Sequence, residues 1–238
     1  MAHIKGILIL AAVVLFAGAA SAEVLKKTAQ IAGTTVEYRV VLPGGFDPAK
    51  VYPGVLAMPP GDQSVQLVDE VLRLNWREQA EKRGYILVIP AAPNGEMLFE
   101  EGDRIFPAFI QLILHDYKIQ GGKFHIAGMS NGGISAFHIA AKYPQYFLSI
   151  TGFPGFLPDV TPARLEGISR MCITMYAGGL DEEWLNAMRD QYQQFKDMRF
   201  HVTFTVEKGQ PHRIATLTGT GAARLFDGFD AAQKGCAN

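Results

Sequence analysis

One stretch in the middle of the chain, FHIAGMSNGGISAF at residues 124–137, decides the fold. Its first half is apolar and rich in β-prone residues, whereas its second half carries apolar residues at helical spacing. The halves meet at Gly128-Met129-Ser130-Asn131-Gly132. A glycine on each side of the serine favours a tight, strained turn, because a Cβ at either position would clash. The pattern therefore predicts a strand that turns directly into a helix.

The alternation of strand and helix extends outward from this stretch. Strands are predicted at 35–42, 54–58, 85–91, 124–129, 148–152, 171–177 and 200–206, with a further edge strand at 23–31. Helices are predicted at 64–83, 105–117, 130–142, 183–198 and 215–229. The run Ile86-Leu87-Val88-Ile89 is apolar on both faces, as in parallel strands that helices cover on both sides. We therefore predict an α/β protein with a doubly wound, mostly parallel β-sheet flanked by helices.

The first 22 residues have the pattern of a signal peptide. One basic residue, Lys5, precedes an apolar run at residues 6–20, and Ala20-Ser21-Ala22 fits a small-residue cleavage site. The run is shorter than the about 20 residues of a transmembrane helix; an uncleaved membrane anchor is the alternative. We expect an exported protein, periplasmic or secreted, in which residues 23–238 form one domain without an integral membrane span.

Charge and cysteine content limit the classes of partner. The chain carries 22 Lys and Arg against 23 Asp and Glu, so neither nucleic acid nor an anionic membrane surface is indicated as a partner. Its two cysteines, Cys172 and Cys236, could pair in an oxidising compartment. Because Cys172 falls in a predicted buried strand and Cys236 near the chain end, we expect a core thiol and a tail thiol, with a disulfide as the alternative.

Ser130 is the candidate nucleophile. In a strand–turn–helix of this kind, the turn raises the hydroxyl to the carboxyl edge of the sheet and leaves the Asn131 N–H free at a helix N-terminus, where it can bind an oxyanion. The alternative is a glycine-rich loop that only packs a helix on the sheet. A serine hydroxyl needs a base that is held by an acid, and in this fold the chain order is Ser, then Asp or Glu, then His.

Candidates for the acid and the base follow Ser130 in that order. Asp181 comes after the predicted strand at 171–177, with Glu182 as its substitute; the alternative role of Asp181 is a helix N-cap. His212 lies on the loop after the strand at 200–206 and is the expected base. Packing roles are expected for the histidines that fall within predicted strands or helices: His115, His125, His138 and His201.

A second oxyanion donor is expected from the loop that follows the predicted strand at 54–58. This loop reads Pro59-Pro60-Gly61-Asp62-Gln63. Because proline has no N–H, the donor is Gly61, Asp62 or Gln63. We favour Gly61 or Asp62, since glycine lets the backbone approach a ligand closely.

These residues together resemble the α/β-hydrolase superfamily over residues 35–229. The segments at 38–43, 76–91 and 128–133 are similar to compact secreted esterases related to polyhydroxybutyrate depolymerases and feruloyl esterases. The resemblance implies hydrolysis of carboxylic esters with no metal or organic cofactor. Such families usually have His-Gly where this chain has Pro59-Pro60. The short segment at 155–170 leaves little room for a cap, so we expect no large cap domain and an open pocket.

The predicted activity is that of a serine hydrolase that cleaves small-molecule or polymeric esters through an acyl-enzyme on Ser130. Alternatives are a prolyl oligopeptidase-like serine peptidase and a non-catalytic binding module that kept the fold. Three aromatic residues are candidates for an apolar pocket lining, with ordinary core packing as the alternative: Phe106, Phe153 and Phe156. The sequence indicates neither the natural substrate nor the oligomeric state.

Overall fold

After three consecutive strands, helices and strands alternate along the described chain. A computed structural model of the protein describes residues 23–236. The strands are β1 (Glu23–Ile31), β2 (Thr34–Leu42), β3 (Tyr52–Met58), β4 (Ile86–Pro90), β5 (Ile119–Gly128), β6 (Phe147–Gly152), β7 (Cys172–Gly178) and β8 (Val202–Glu207). The helices are α1 (Val65–Val71), α2 (Arg77–Arg83), α3 (Phe106–Asp116), α4 (Asn131–Lys142), α5 (Pro162–Ile168), α6 (Glu182–Asp197) and α7 (Ala223–Gln233).

The strands form a single sheet in the order β1-β2-β4-β3-β5-β6-β7-β8. β2 is antiparallel to β1 and β4, and all pairs from β4 to β8 are parallel. The predicted α/β fold with a mostly parallel sheet is confirmed, including β1 as an edge strand. Because the carboxyl ends of parallel strands share one edge, the loops after β3, β5, β6, β7 and β8 meet there.

Helices cover both faces of the sheet and form two apolar cores. One core packs α3 to α6 against the sheet, with large buried side chains Phe106, Phe137 and Phe195. The other packs α1, α2 and α7 against the opposite face, with Trp76 and Phe226 at its centre. Each face of the central strands is therefore buried, as their largely apolar sequence requires.

Between β6 and β7 the chain forms only one short helix, α5. The structure shows no cap domain within residues 23–236, which confirms that prediction. α5 itself was not predicted, because its seven residues are too few to show helical periodicity. Its N-cap is Thr161, whose hydroxyl accepts a hydrogen bond from the Arg164 N–H.

The helix predicted at 215–229 is wrong in its first half. Ala215–Leu217 and Gly219–Ala222 form short 3-10 turns, and α7 begins only at Ala223. Thr218 is extended, and Gly219 takes a φ of 54°, a left-handed conformation that glycine accepts without strain. These two residues interrupt the helix that the apolar spacing had indicated.

The expectation of a core thiol and a tail thiol is also wrong, because Cys172 and Cys236 form a disulfide. α7 packs beneath the sheet and returns the chain to the amino end of β7, where the two Cα atoms lie 5.3 Å apart. Pairing therefore depends on the placement of α7, which the cysteine spacing alone does not reveal.

The segment predicted as a signal peptide, residues 1–22, lies outside the described residues. Within residues 23–236, no helix combines the length and apolarity needed to cross a bilayer.

Candidate active site

Ser130 lies at the sharp turn between β5 and α4. Its backbone has a φ of 59° and a ψ of −124°, a conformation that residues other than glycine rarely adopt. A Cβ added to Gly128 would lie 2.1 Å from the Gly132 carbonyl oxygen, and one added to Gly132 would lie 2.3 Å from the Met58 carbonyl oxygen. The close approach of the backbone thus requires both glycines, as the sequence pattern predicts.

The strained turn is tied to the end of β6 by backbone hydrogen bonds. The Ser130 N–H donates to the Pro154 carbonyl at 2.8 Å, and the Phe153 N–H donates to the Gly128 carbonyl at 3.1 Å. These bonds satisfy the backbone groups that the turn removes from the sheet. The half-buried serine side chain is left at the carboxyl edge, beside the loops that follow β7 and β8.

His212 lies between Ser130 and Asp181 and contacts both side chains. Its Nε2 is 2.8 Å from the Ser130 Oγ, and its Nδ1 is 2.6 Å from the Asp181 Oδ2. An ionised carboxylate only accepts hydrogen bonds, so Nδ1 donates to Asp181 and Nε2 is free to accept from the serine hydroxyl. The structure thus brings together the three residues that the sequence placed in order.

The loops that carry Asp181 and His212 are held against each other. Two backbone hydrogen bonds of 2.9 Å join them, from Gly179 to Glu207 and from Leu180 to Gln210. At the end of β7, a Cβ added to Gly178 would lie 2.1 Å from the Pro211 carbonyl oxygen. This close backbone contact leaves the acid and the base little freedom to separate.

Asp181 stands at the N-cap position of α6, which was the alternative role for this residue. Its side chain makes no capping hydrogen bond and instead faces His212. Glu182, the substitute candidate, is the exposed first residue of α6. The contacts therefore favour Asp181 over Glu182 as the partner of the histidine.

The other histidines in the described chain lie away from Ser130. His125 is buried in β5 with its Nδ1 2.7 Å from the Ser149 Oγ, and burial lowers its pKa to about 4. His138 is buried in α4 with its Nε2 2.6 Å from the Asp103 Oδ2. The packing roles predicted for His115 and His201 are wrong, because both residues are exposed.

An aromatic wall, defined by Trp184 and Phe156, borders His212. The Trp184 ring meets the His212 ring edge-on with 4.9 Å between centroids, and Phe156 lies 5.1 Å from Trp184. These two side chains line a cavity of 130 Å³. Phe106 and Phe153, also candidates for the lining, are core residues instead. Trp184 was missed by sequence reasoning, although its place in the first turn after Asp181 could have indicated it.

The loop from Pro59 to Gln63 packs directly on the start of α4. The side chain of Asn131 donates to the Gly61 carbonyl at 2.8 Å. Its own backbone N–H has no acceptor among residues 23–236. The N–H of Gln63 is engaged with the Pro60 carbonyl at 3.0 Å, whereas those of Gly61 and Asp62 have no backbone acceptor among the described residues. Two of the three candidate donors on the loop therefore stay available.

No protein-family model matches the sequence, and no curated protein matches it. Solved structures do match the fold. A thermostable esterase superimposes with a TM-score of 0.68 at 16% identity, covering 89% of this chain and 62% of the esterase. A ferulic acid esterase superimposes with a TM-score of 0.67 at 16% identity, covering 90% of this chain and 98% of that protein.

A larger protein, assigned as a dipeptidyl aminopeptidase IV from Bacteroides ovatus, has a TM-score of 0.67 at 15% identity. The match covers 93% of this chain but 37% of that protein, so the chain spans only part of its length. At these identities the likeness establishes the fold, which is that of the α/β-hydrolases.

Proposed function

We propose that this protein is a serine esterase that uses Ser130, His212 and Asp181 as its catalytic triad. The observation that carries the proposal is the continuous chain of contacts from Asp181 through His212 to Ser130, with distances of 2.6 and 2.8 Å. The strained backbone at Ser130 supports it, because strain of this kind is concentrated at functional sites. Fold likeness to two esterases is in keeping with the same chemistry.

The reaction proceeds by acyl transfer in two steps. Ser130 Oγ attacks the ester carbonyl while His212 Nε2 takes its proton, and Asp181 stabilises the resulting imidazolium. The tetrahedral intermediate collapses, and the alcohol leaves with the proton from His212. Water, deprotonated by His212, then attacks the acyl-enzyme and releases the carboxylic acid with Ser130 restored.

The oxyanion is held by the backbone N–H groups of Asn131 and Gly61. The N–H of Asn131 lies at the start of α4, where the helix dipole also favours negative charge. On the loop, the Gly61 carbonyl points to the Asn131 side chain. In a trans peptide the Asp62 N–H points opposite to that carbonyl and away from Asn131, so Gly61 is the better candidate.

The decisive experiment compares Ser130→Ala with the wild type on p-nitrophenyl esters of varied acyl length and aromaticity. We expect turnover to fall by about 10⁴-fold or more in a variant that remains folded, since the acyl-enzyme can no longer form. Peptide mapping after fluorophosphonate treatment should place the label on Ser130 in the wild type. Ser169→Ala, a change away from the site, should keep both turnover and labelling.

The same assays separate the competing functions. Cleavage of short peptide amides without ester turnover would replace the esterase by a peptidase of the prolyl oligopeptidase kind. A folded wild-type protein that neither turns over esters nor takes the label would favour a binding module.

We further propose that the enzyme acts outside the cytoplasm. The signal-like residues 1–22 and the disulfide between Cys172 and Cys236 support this location, because disulfides persist mainly in oxidising compartments. N-terminal sequencing of the protein from exported fractions should find Glu23 as the first residue. Recovery of the full-length chain in the cytoplasm with reduced cysteines would contradict export.

A further inference from the structure

Gln63 is a buried polar residue at the end of the loop that follows β3. Its side chain is fully buried, and its φ of 56° lies in the left-handed region. The side-chain oxygen accepts a hydrogen bond from the Leu98 N–H at 2.7 Å. The side-chain nitrogen donates both of its protons, to the Pro59 carbonyl at 3.1 Å and to the Ser135 Oγ at 2.8 Å. Every hydrogen-bonding direction but one oxygen lone pair is thus used.

These contacts connect the loop to α4, the helix that starts at the sharp turn of Ser130. Ser135 lies one turn beyond Asn131 in α4, and its hydroxyl donates to the Asn131 carbonyl at 2.9 Å. The amide of Gln63 therefore links Pro59, at the start of the loop, to the turn that presents the Asn131 N–H. A second link at the other side of the loop is the hydrogen bond from the Asn131 side chain to the Gly61 carbonyl.

We propose that Gln63 is the positioning residue of the oxyanion hole, an inference that rests on the proposed esterase function. Oxyanion donors stabilise a transition state only when they are fixed in advance, because reorganisation during the reaction would cost the advantage. The prolines at 59 and 60 have no N–H with which to anchor the loop. Gln63 supplies that anchor through its side chain and sets the distance between the N–H of Gly61 and that of Asn131.

Gln63→Gly tests the role of the whole side chain without straining the backbone. Glycine accepts the φ of 56° without strain, so the variant removes the three side-chain hydrogen bonds and leaves the backbone conformation accessible. We expect kcat to fall by about 10- to 100-fold while KM changes by less than about threefold, since the loss falls on the transition state rather than on substrate binding.

A matched pair of serine variants separates positioning from general stability. Ser135 and Ser149 are both buried, and each hydroxyl contacts one polar side chain, that of Gln63 or of His125. Ser135→Ala should lower kcat by about 3- to 10-fold with little change in KM. Ser149→Ala should lower the thermal midpoint to a similar degree and leave kcat unchanged.

Each outcome of these experiments either supports or overturns the positioning role of Gln63. A folded Gln63→Gly protein with kcat within about twofold of the wild type would overturn the positioning role while leaving the esterase intact. Should Gln63→Gly not fold, equal kcat values for Ser135→Ala and Ser149→Ala would overturn it. If the wild type itself neither hydrolyses esters nor labels at Ser130, the proposed function fails first, and the positioning role fails with it.

Discussion

Two histidine–aspartate pairs in this protein make the same kind of contact but differ in their third partner and in their exposure to solvent. In each pair, a ring nitrogen lies 2.6 Å from a carboxylate oxygen: His212 with Asp181, and His138 with Asp103. The other nitrogen of His212 faces the Ser130 hydroxyl, which can release a proton. The other nitrogen of His138 accepts from Arg164, which is always a donor, so His138 is held neutral and has no proton to receive.

The two pairs also differ in their exposure to solvent. The His138 side chain is 10% exposed and Asp103 is 9% exposed, and Lys142 contacts the same carboxylate at 2.6 Å. The His212 side chain is 39% exposed and can meet a substrate. A histidine–aspartate contact therefore does not by itself mark a catalytic base. The third partner and the access to that nitrogen distinguish the two roles.

The largest expected effect is on turnover, and the same substitution in both pairs reveals it. Asp181→Asn should lower kcat by about 10⁴-fold, because the amide no longer holds His212 in the tautomer that accepts from Ser130. Asp103→Asn should leave kcat within about threefold of the wild type. Steady-state hydrolysis of one p-nitrophenyl ester by both variants checks this, and similar losses in the two would contradict the distinction.

The free energy of unfolding should fall in acid because two histidines, His125 and His138, are buried. Burial lowers the pKa of His125 from 6.5 to about 4, and burial together with the charge of Arg164 lowers the pKa of His138 despite the Asp103 carboxylate. Between pH 6.5 and about 4, the unfolded chain binds protons at these histidines that the folded protein does not bind. Stability is therefore complete above pH 6.5 and is lost as pH falls towards 4, by about 3 kcal/mol from His125.

Urea unfolding at a series of pH values measures this loss. In His125→Gln the free energy of unfolding should vary less between pH 6.5 and 4 than in the wild type, and His138→Gln should show a smaller reduction of the same sign. Parallel curves for all three proteins would rule out buried neutral histidines as the cause.

Stability measurements on the same two aspartate variants should show the opposite order of effects. Asp103→Asn should lower the free energy of unfolding by about 2 kcal/mol, because a buried carboxylate that serves both His138 and Lys142 loses its charge. Asp181→Asn should cost less than about 1 kcal/mol, since its partner is more exposed. Midpoints and slopes from urea denaturation provide the comparison, and a larger loss at Asp181 would oppose it.

Whether a region of the structure could be predicted from the sequence depends on the kind of contact that holds it. The sharp turn at Ser130 and the order of Ser130, Asp181 and His212 were predictable, because close backbone approaches demand glycine and each candidate follows a strand. The central parallel strands, β3 to β7, were predictable for a similar reason, since parallel strands buried on both faces leave largely apolar runs. Their bounds differ from the predicted ones by at most two residues, except that β5 begins five residues earlier than predicted.

Regions held by side chains across the fold could not be predicted in this way. Gln63 bonds to residues 35 and 72 positions away in the chain, and no spacing rule connects them. The partnership of Cys172 and Cys236 likewise depends on the course of α7. Such contacts depend on tertiary packing, which local sequence patterns do not specify.

The smallest expected effect concerns the aromatic wall, which borders His212 in the proposed catalytic site. The Trp184 ring packs edge-on against His212 and next to Phe156, so Trp184→Ala removes an apolar surface beside the base. We expect kcat/KM to fall by about 2- to 10-fold for esters with an aromatic group and less for acetate esters of small alcohols, as the loss of one aromatic contact predicts. Trp184→Phe should recover most of the difference. An equal loss for aromatic and small esters would mean that Trp184 holds His212 in place and does not contact the substrate.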